Sequence, residues 1–231
     1  MRSKQSGFTL VEIAIVLVII GLLLGGVLKG QELINSAKVK NMVNDFRTVS
    51  SLVYSYQDRF KAFPGDQNQG ALDNAFGAAA SAVVCTPASA TCATGNARID
   101  GDWNAGAITH ETYVFWQHVR LANLASGVVT PGTANYDPVN ADGGRIGIES
   151  GLDSAGVPAP WITGMRGSFY VCSTGILGRY VKQIDTTMDD GNTAGGNVRA
   201  VSAASSVTRG TAAVDTSLIN EGQQYTVCAG F

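Results

Sequence analysis

The 231-residue chain is 45% hydrophobic but only 15% charged, with a formal net charge of -2 and 28 glycines. A chain of this length makes one compact domain with an appendage, or at most two small domains, and its glycines imply many turns and long loops. It has no block of Lys or Arg, so no nucleic acid partner is expected, since such binding needs a basic stripe.

Residues 1–7, Met-Arg-Ser-Lys-Gln-Ser-Gly, are short, polar and basic. From Phe8 to Leu28 every residue is apolar or small except Thr9 and Glu12. As a helix this stretch is about 31 Å long, enough to cross the hydrocarbon of a bilayer. Arg2 and Lys4 ahead of the span keep the N-terminus cytoplasmic and send the rest of the chain outward. A secretory signal peptide fits poorly, because its apolar core of roughly 7–15 residues ends at a small-residue cleavage site. Here the apolar run is longer and passes into a polar helix with no A-x-A pattern. A plain anchor leaves Glu12 unexplained, since a charged residue at the centre of the bilayer costs about 2.5–3.5 kcal/mol and is tolerated mainly with a partner or a function.

Gly7-Phe8-Thr9-Leu10-Val11-Glu12, set between a short basic leader and a long apolar helix, closely resembles the class III signal of type IV pilins and type II secretion pseudopilins. The resemblance covers roughly the first 60 residues. It implies cleavage after Gly7 by a prepilin peptidase/methyltransferase, N-methylation of Phe8, and Glu12 as the acid that neutralises the freed amine when a subunit docks. It also implies a filament subunit, held in the bacterial inner membrane by a single span with a periplasmic head, and then polymerised into a periplasmic or cell-surface filament. The implied partners are other pilin or pseudopilin subunits, an inner-membrane assembly platform and membrane lipid. Two positions depart from the family pattern. Ser6 precedes Gly7 where a basic residue is common, and Lys29 stands where mature pilins often carry a helix-weakening proline. Gly21, Gly25 and Gly26 supply weak helical positions instead, each costing about 1 kcal/mol relative to Ala.

Beyond Leu28 the pattern becomes amphipathic. Val39, Met42 or Val43, Phe46, Val49, Val53, Tyr56 and Phe60 recur at spacings of three and four, one stripe of a helix. One continuous helix from Phe8 to Phe60 is expected, stopped by Pro64-Gly65. The expected organisation is a leader at 1–7, a pilin helix at 8–60 and a head at 61–231. The head holds 9 Lys and Arg against 14 Asp and Glu, mildly acidic and without an obvious anionic partner. Thr109–Ala125 and Gly175–Met188 read as short helices, the first capped by Thr109 and ended by Gly127. Ile146–Ile148, Ser168–Cys172, Val198–Val201 and Tyr225–Cys228 have strand character. The fold class is therefore α+β, a long N-terminal helix packed against a small antiparallel sheet in a loop-rich head. Ala78–Ala97 and Thr186–Thr216 read as surface loops.

The cysteines Cys85, Cys92, Cys172 and Cys228 contain no C-x-x-C, which removes the zinc and thioredoxin spacings. An even number in an exported region suggests two disulfides. Three pairings are open, and Cys85–Cys92 with Cys172–Cys228 is preferred. Asp185, Asp189, Asp190 and Asn192 crowd the end of the second short helix, and carboxylates so close repel unless solvated or bound to metal. They are the candidate Ca²⁺ ligands; no other cofactor is expected. Asn96, Asp100 and Asp102 miss the EF-hand spacing and read as a polar turn. His110 and His118 lack H-E-x-x-H spacing, and Trp103, Trp116 and Trp161 read as core. With no G-x-S-x-G, P-loop or G-x-G-x-x-G in the chain, no enzyme activity is expected. Two other readings use the same signal: a membrane-tethered periplasmic binding protein or enzyme, and a DNA-uptake minor pilin, which the acidic head disfavours.

Overall fold

The computed structural model describes residues 9–86, 91–152, 159–204 and 208–231. Helix α1 runs Leu10–Phe60, its apolar N-terminal run giving way to a one-sided stripe that ends at Tyr56. The chain divides into two compact units, Met1–Lys38 and Val39–Phe231. The described part of the first is helical throughout from Leu10, and Thr9 to Lys29 are all exposed.

In the second unit the remaining elements are α2 (Gln69–Phe76), α3 (Glu111–Leu121), β1 (Ile146–Glu149), β2 (Tyr170–Leu177), α4 (Gly178–Met188), β3 (Val198–Ser202) and β4 (Gln224–Gly230). The four strands form one antiparallel sheet in the order β1-β2-β4-β3. Side chains alternate across it as the pleat requires. Val171, Val227, Ala229, Val198 and Ala200 join Met42, Phe46, Val53 and Tyr56 of α1 and Phe115 of α3 in the main core. Their neighbours Cys172, Cys228 and Val201 face the other way, into a second cluster with Trp103, Trp161, Ile162 and Met165. The sheet is thus covered on one face by helices and on the other by loops, an α+β, pilin-like arrangement.

α1 stops as Lys61 turns to positive φ. Gly65 follows at φ +97°, where a Cβ would lie 2.6 Å from the Glu111 carbonyl oxygen. The turn therefore needs glycine.

Several boundaries differ from the sequence reading. α2 lies in a stretch with no sequence-predicted element. Asn68 caps it by accepting from the Ala71 N–H at 3.0 Å, and Leu72 is its one buried residue. α3 begins after His110, not Thr109: the Glu111 and Thr112 N–H groups that a Thr109 cap would hold donate to the Asp100 carbonyl. It ends at Leu121, before Gly127 is reached. Residues 175–177 extend β2 instead of opening α4. Within the expected loop at 186–216, Thr193, Val198, Ala200 and Val201 are buried.

Candidate functional site

The N-terminal unit presents one functional constellation. Leu22 (73% exposed), Leu23 (63%) and Leu24 (60%), successive and so about 100° apart around α1, all lie open. A helix apolar all round is stable only against lipid or other apolar helices. Inside this run sits a single acid, Glu12. Its Oε2 accepts from both the N–H and the hydroxyl of Thr9, each at 2.8 Å, and the Glu12 N–H donates back to the Thr9 hydroxyl at 3.3 Å. This is a reciprocal capping box that satisfies helix-end donors otherwise left open. The same carboxylate lies at the positive end of the helix. Gly7 and Phe8 lie outside the described residues.

Residues 2–28 match the family model described as the prokaryotic N-terminal methylation motif. That motif is the prepilin-type signal of type IV pilins and pseudopilins. Signal, apolar helix and head fold together support a type IV pilin-like or pseudopilin-like protein. A long apolar helix next to such a signal fits membrane anchoring, processing by prepilin peptidase, and assembly with like subunits. No curated protein and no solved structure matches the chain.

In the head, Cys85–Cys92 and Cys172–Cys228 are disulfide-bonded, and no cysteine is free. The second bridge joins directly opposed residues of β2 and β4. Of the four candidate metal ligands, Asp185, Asp189 and Asp190 come together, each offering one oxygen within 4.8 Å of the others. Asp185 is wholly buried, and neither of its carboxylate oxygens has a hydrogen-bond partner. Burial pushes its carboxyl up to about 6, with the Asp189 and Asp190 charges adding to the shift. Asp189 Oδ2 accepts from the N–H groups of Asn197 and Val198. Asn192 turns its Oδ1 to the Ala194 N–H at 3.2 Å. α4 carries no basic residue in its last turn, so its negative end meets these acids without a local cation.

Asn96, Asp100 and Asp102 do not form a shared site. Asn96 donates to Asp100 at 2.6 Å, whereas Asp102 pairs with Arg209 at 2.7 Å. His118 is buried and neutral. Its Nδ1 accepts from the Gly65 N–H at 2.9 Å, so Nε2 carries the proton toward the Val83 carbonyl, and burial lowers its pKa to about 4. His110 is likewise shifted down by burial.

Sequence reasoning missed two fully enclosed acids, Glu111 and Glu149. Glu111, fully enclosed, accepts from the Asp100 N–H at 2.9 Å. Burial pushes its carboxyl up to about 8, and the Asp100 and Asp66 charges add to this. Glu149, also fully enclosed, takes the Arg209 guanidinium at 2.8 Å and the Trp161 N–H at 2.8 Å. Its carboxyl is raised to about 7 by burial despite that arginine. Neither position has a local sequence signal, because each environment is assembled from distant segments.

Proposed function

We propose that this chain is a structural subunit of a type IV pilus or type II secretion pseudopilus filament. In this reading residues 1–7 are a leader removed by hydrolysis of the Gly7–Phe8 peptide bond, Phe8 is N-methylated, and the head stands in the periplasm. The observation that carries it is the combination of the methylation motif at residues 2–28 with a fully exposed apolar helix holding one acid, Glu12. The activity is association, not bond-making chemistry. Apolar helices leave lipid for one another, and Glu12 balances the ammonium at Phe8, its own or a neighbour's, that would otherwise be buried uncompensated. Intact mass of the mature chain tests the processing: a chain beginning at N-methyl-Phe8 is expected. One that begins at unmodified Met1 removes this reading in favour of a membrane-tethered binding protein or enzyme. Glu12→Val is expected to abolish filaments while leaving the chain membrane-bound, and an unchanged filament yield would reject the docking role.

The same subunit is assigned a calcium ion at Asp185, Asp189 and Asp190. A buried carboxylate with no donor on either oxygen among the described residues, clustered with two further acids, needs neutralising. A hard cation with oxygen ligands would neutralise all three, the remaining ligands coming from nearby carbonyls and water. Millimolar CaCl₂ is expected to raise the unfolding temperature of the full chain in detergent, EDTA to reverse this, and Asp185→Asn to remove the response. Wild-type protein indifferent to Ca²⁺ and EDTA sinks this site.

A further inference from the structure

Asp45 is half-buried on α1 and receives no hydrogen bond or ion pair from any described residue. Loss of water alone pushes its carboxyl up to about 6. It lines an open groove of about 370 Å³ with Leu52, Trp116, Arg120, Leu124 and Val139, and Val139 is 62% exposed. Arg120 shares the groove but does not compensate the acid. Its guanidinium lies over the Tyr136 ring at 5.0 Å and donates through Nη1 to the Val128 carbonyl at 2.7 Å. A desolvated carboxylate beside an apolar wall calls for a cation on an aliphatic stem, and arginine supplies both.

Such a cation lies on the other side of the same helix. Arg47 is exposed and makes no ion pair among the described residues. It stands about 200° around the helix from Asp45 and about 3 Å along it. Lys40, exposed and likewise unpaired, falls on the same face seven residues earlier. The Val39–Phe60 part of α1 therefore carries an acid in a groove on one side and, on the opposite side, Arg47 at nearly the same level with Lys40 about 10 Å from it along the axis. Two different complementary patches on one molecule make a heterologous contact, which propagates from copy to copy unless its rotation closes a ring.

We propose that Arg47 of one copy enters the Asp45 groove of the next, its stem on Leu52 and Val139 and its guanidinium paired with the carboxylate. This rests on the filament reading above and assigns a lateral electrostatic contact separate from Glu12. Full-length chains expressed with their assembly machinery test it through sheared filament yield. Asp45→Arg and Arg47→Asp are each expected to cut that yield about tenfold, the effect of losing about 1.4 kcal/mol. The double exchange, Asp45→Arg with Arg47→Asp, is expected to restore it. Asp45→Asn is expected to leave the unfolding temperature of the detergent-solubilised monomer unchanged or raised, because the carboxylate has no partner among the described residues. Single reversals that polymerise like wild type, or a double exchange that fails to rescue, overturn the groove contact while wild-type filaments keep the filament reading. A wild-type chain that forms no filament overturns both.

Discussion

Glu111 offers a quantitative test of the head's electrostatics. Its carboxyl is fully enclosed, with one oxygen held by the Asp100 N–H. Burial raises it from 4.5 to about 8. Between those two values the folded protein holds a proton that the unfolded chain releases, so stability falls as pH rises through that window. Below 4.5 both states are protonated and the contribution is flat; above about 8 both are ionised and the loss is complete. Each unit is worth about 1.4 kcal/mol, so the full window amounts to roughly 4–5 kcal/mol. Glu149, raised to about 7, adds a loss of the same sign over a narrower range. Glu111→Gln keeps an acceptor for the Asp100 N–H and cannot ionise. It should leave stability near wild type at pH 5 and exceed wild type by several kcal/mol at pH 8.5, an order-of-magnitude figure from the same conversion. Urea unfolding of the full chain in detergent at pH 5 to 9, followed by tryptophan fluorescence, measures both curves. Parallel curves for wild type and Glu111→Gln, or wild-type stability that rises across this range, would show that Glu111 does not hold its proton through this window.

Arg209→Ala should cost about 3–5 kcal/mol, because it strands the buried Glu149 carboxylate without its cation; adding Glu149→Gln should recover part of that loss in thermal unfolding. Replacing Cys172 and Cys228 together by serine should lower stability by about 2–5 kcal/mol. The same change at Cys85 and Cys92 should cost less, since that bridge spans 7 residues against 56 and a shorter loop restrains the unfolded chain less. Differential scanning calorimetry of the two double variants decides the order.

The long helix was legible because its signals repeat over many turns. A long apolar run from Phe8 to Leu28, broken only by Thr9 and Glu12, and a periodic stripe from Val39 to Tyr56 each give signal enough to read. α2 was not legible: in eight residues with one buried side chain, Leu72, there is too little pattern to separate helix from loop. The Thr109 cap failed for a different reason, since the Asp100 carbonyl takes the Glu111 and Thr112 N–H groups that the cap would hold. β2 ran past its expected end because Ile176 and Leu177 pair with Tyr225 and Gln224 of β4 beyond a bulge, a partner that local propensity does not see.

The processing signal, the apolar helix with Glu12 near its start, the α+β class and the crowding of acids after α4 could all be read from the chain, because each depends on residues close together in it. Which polar groups lost their water was settled only by packing in three dimensions. Glu111 is enclosed by the loop carrying Asp100, Glu149 is bound to Arg209 from 60 residues away, Asp185 has no donor among the described residues, and Asp45 opens into a groove shared with Trp116 and Val139. Desolvation is set by what packs around a group in space, and a carboxylate reads the same in the chain whether it ends in water or in a core.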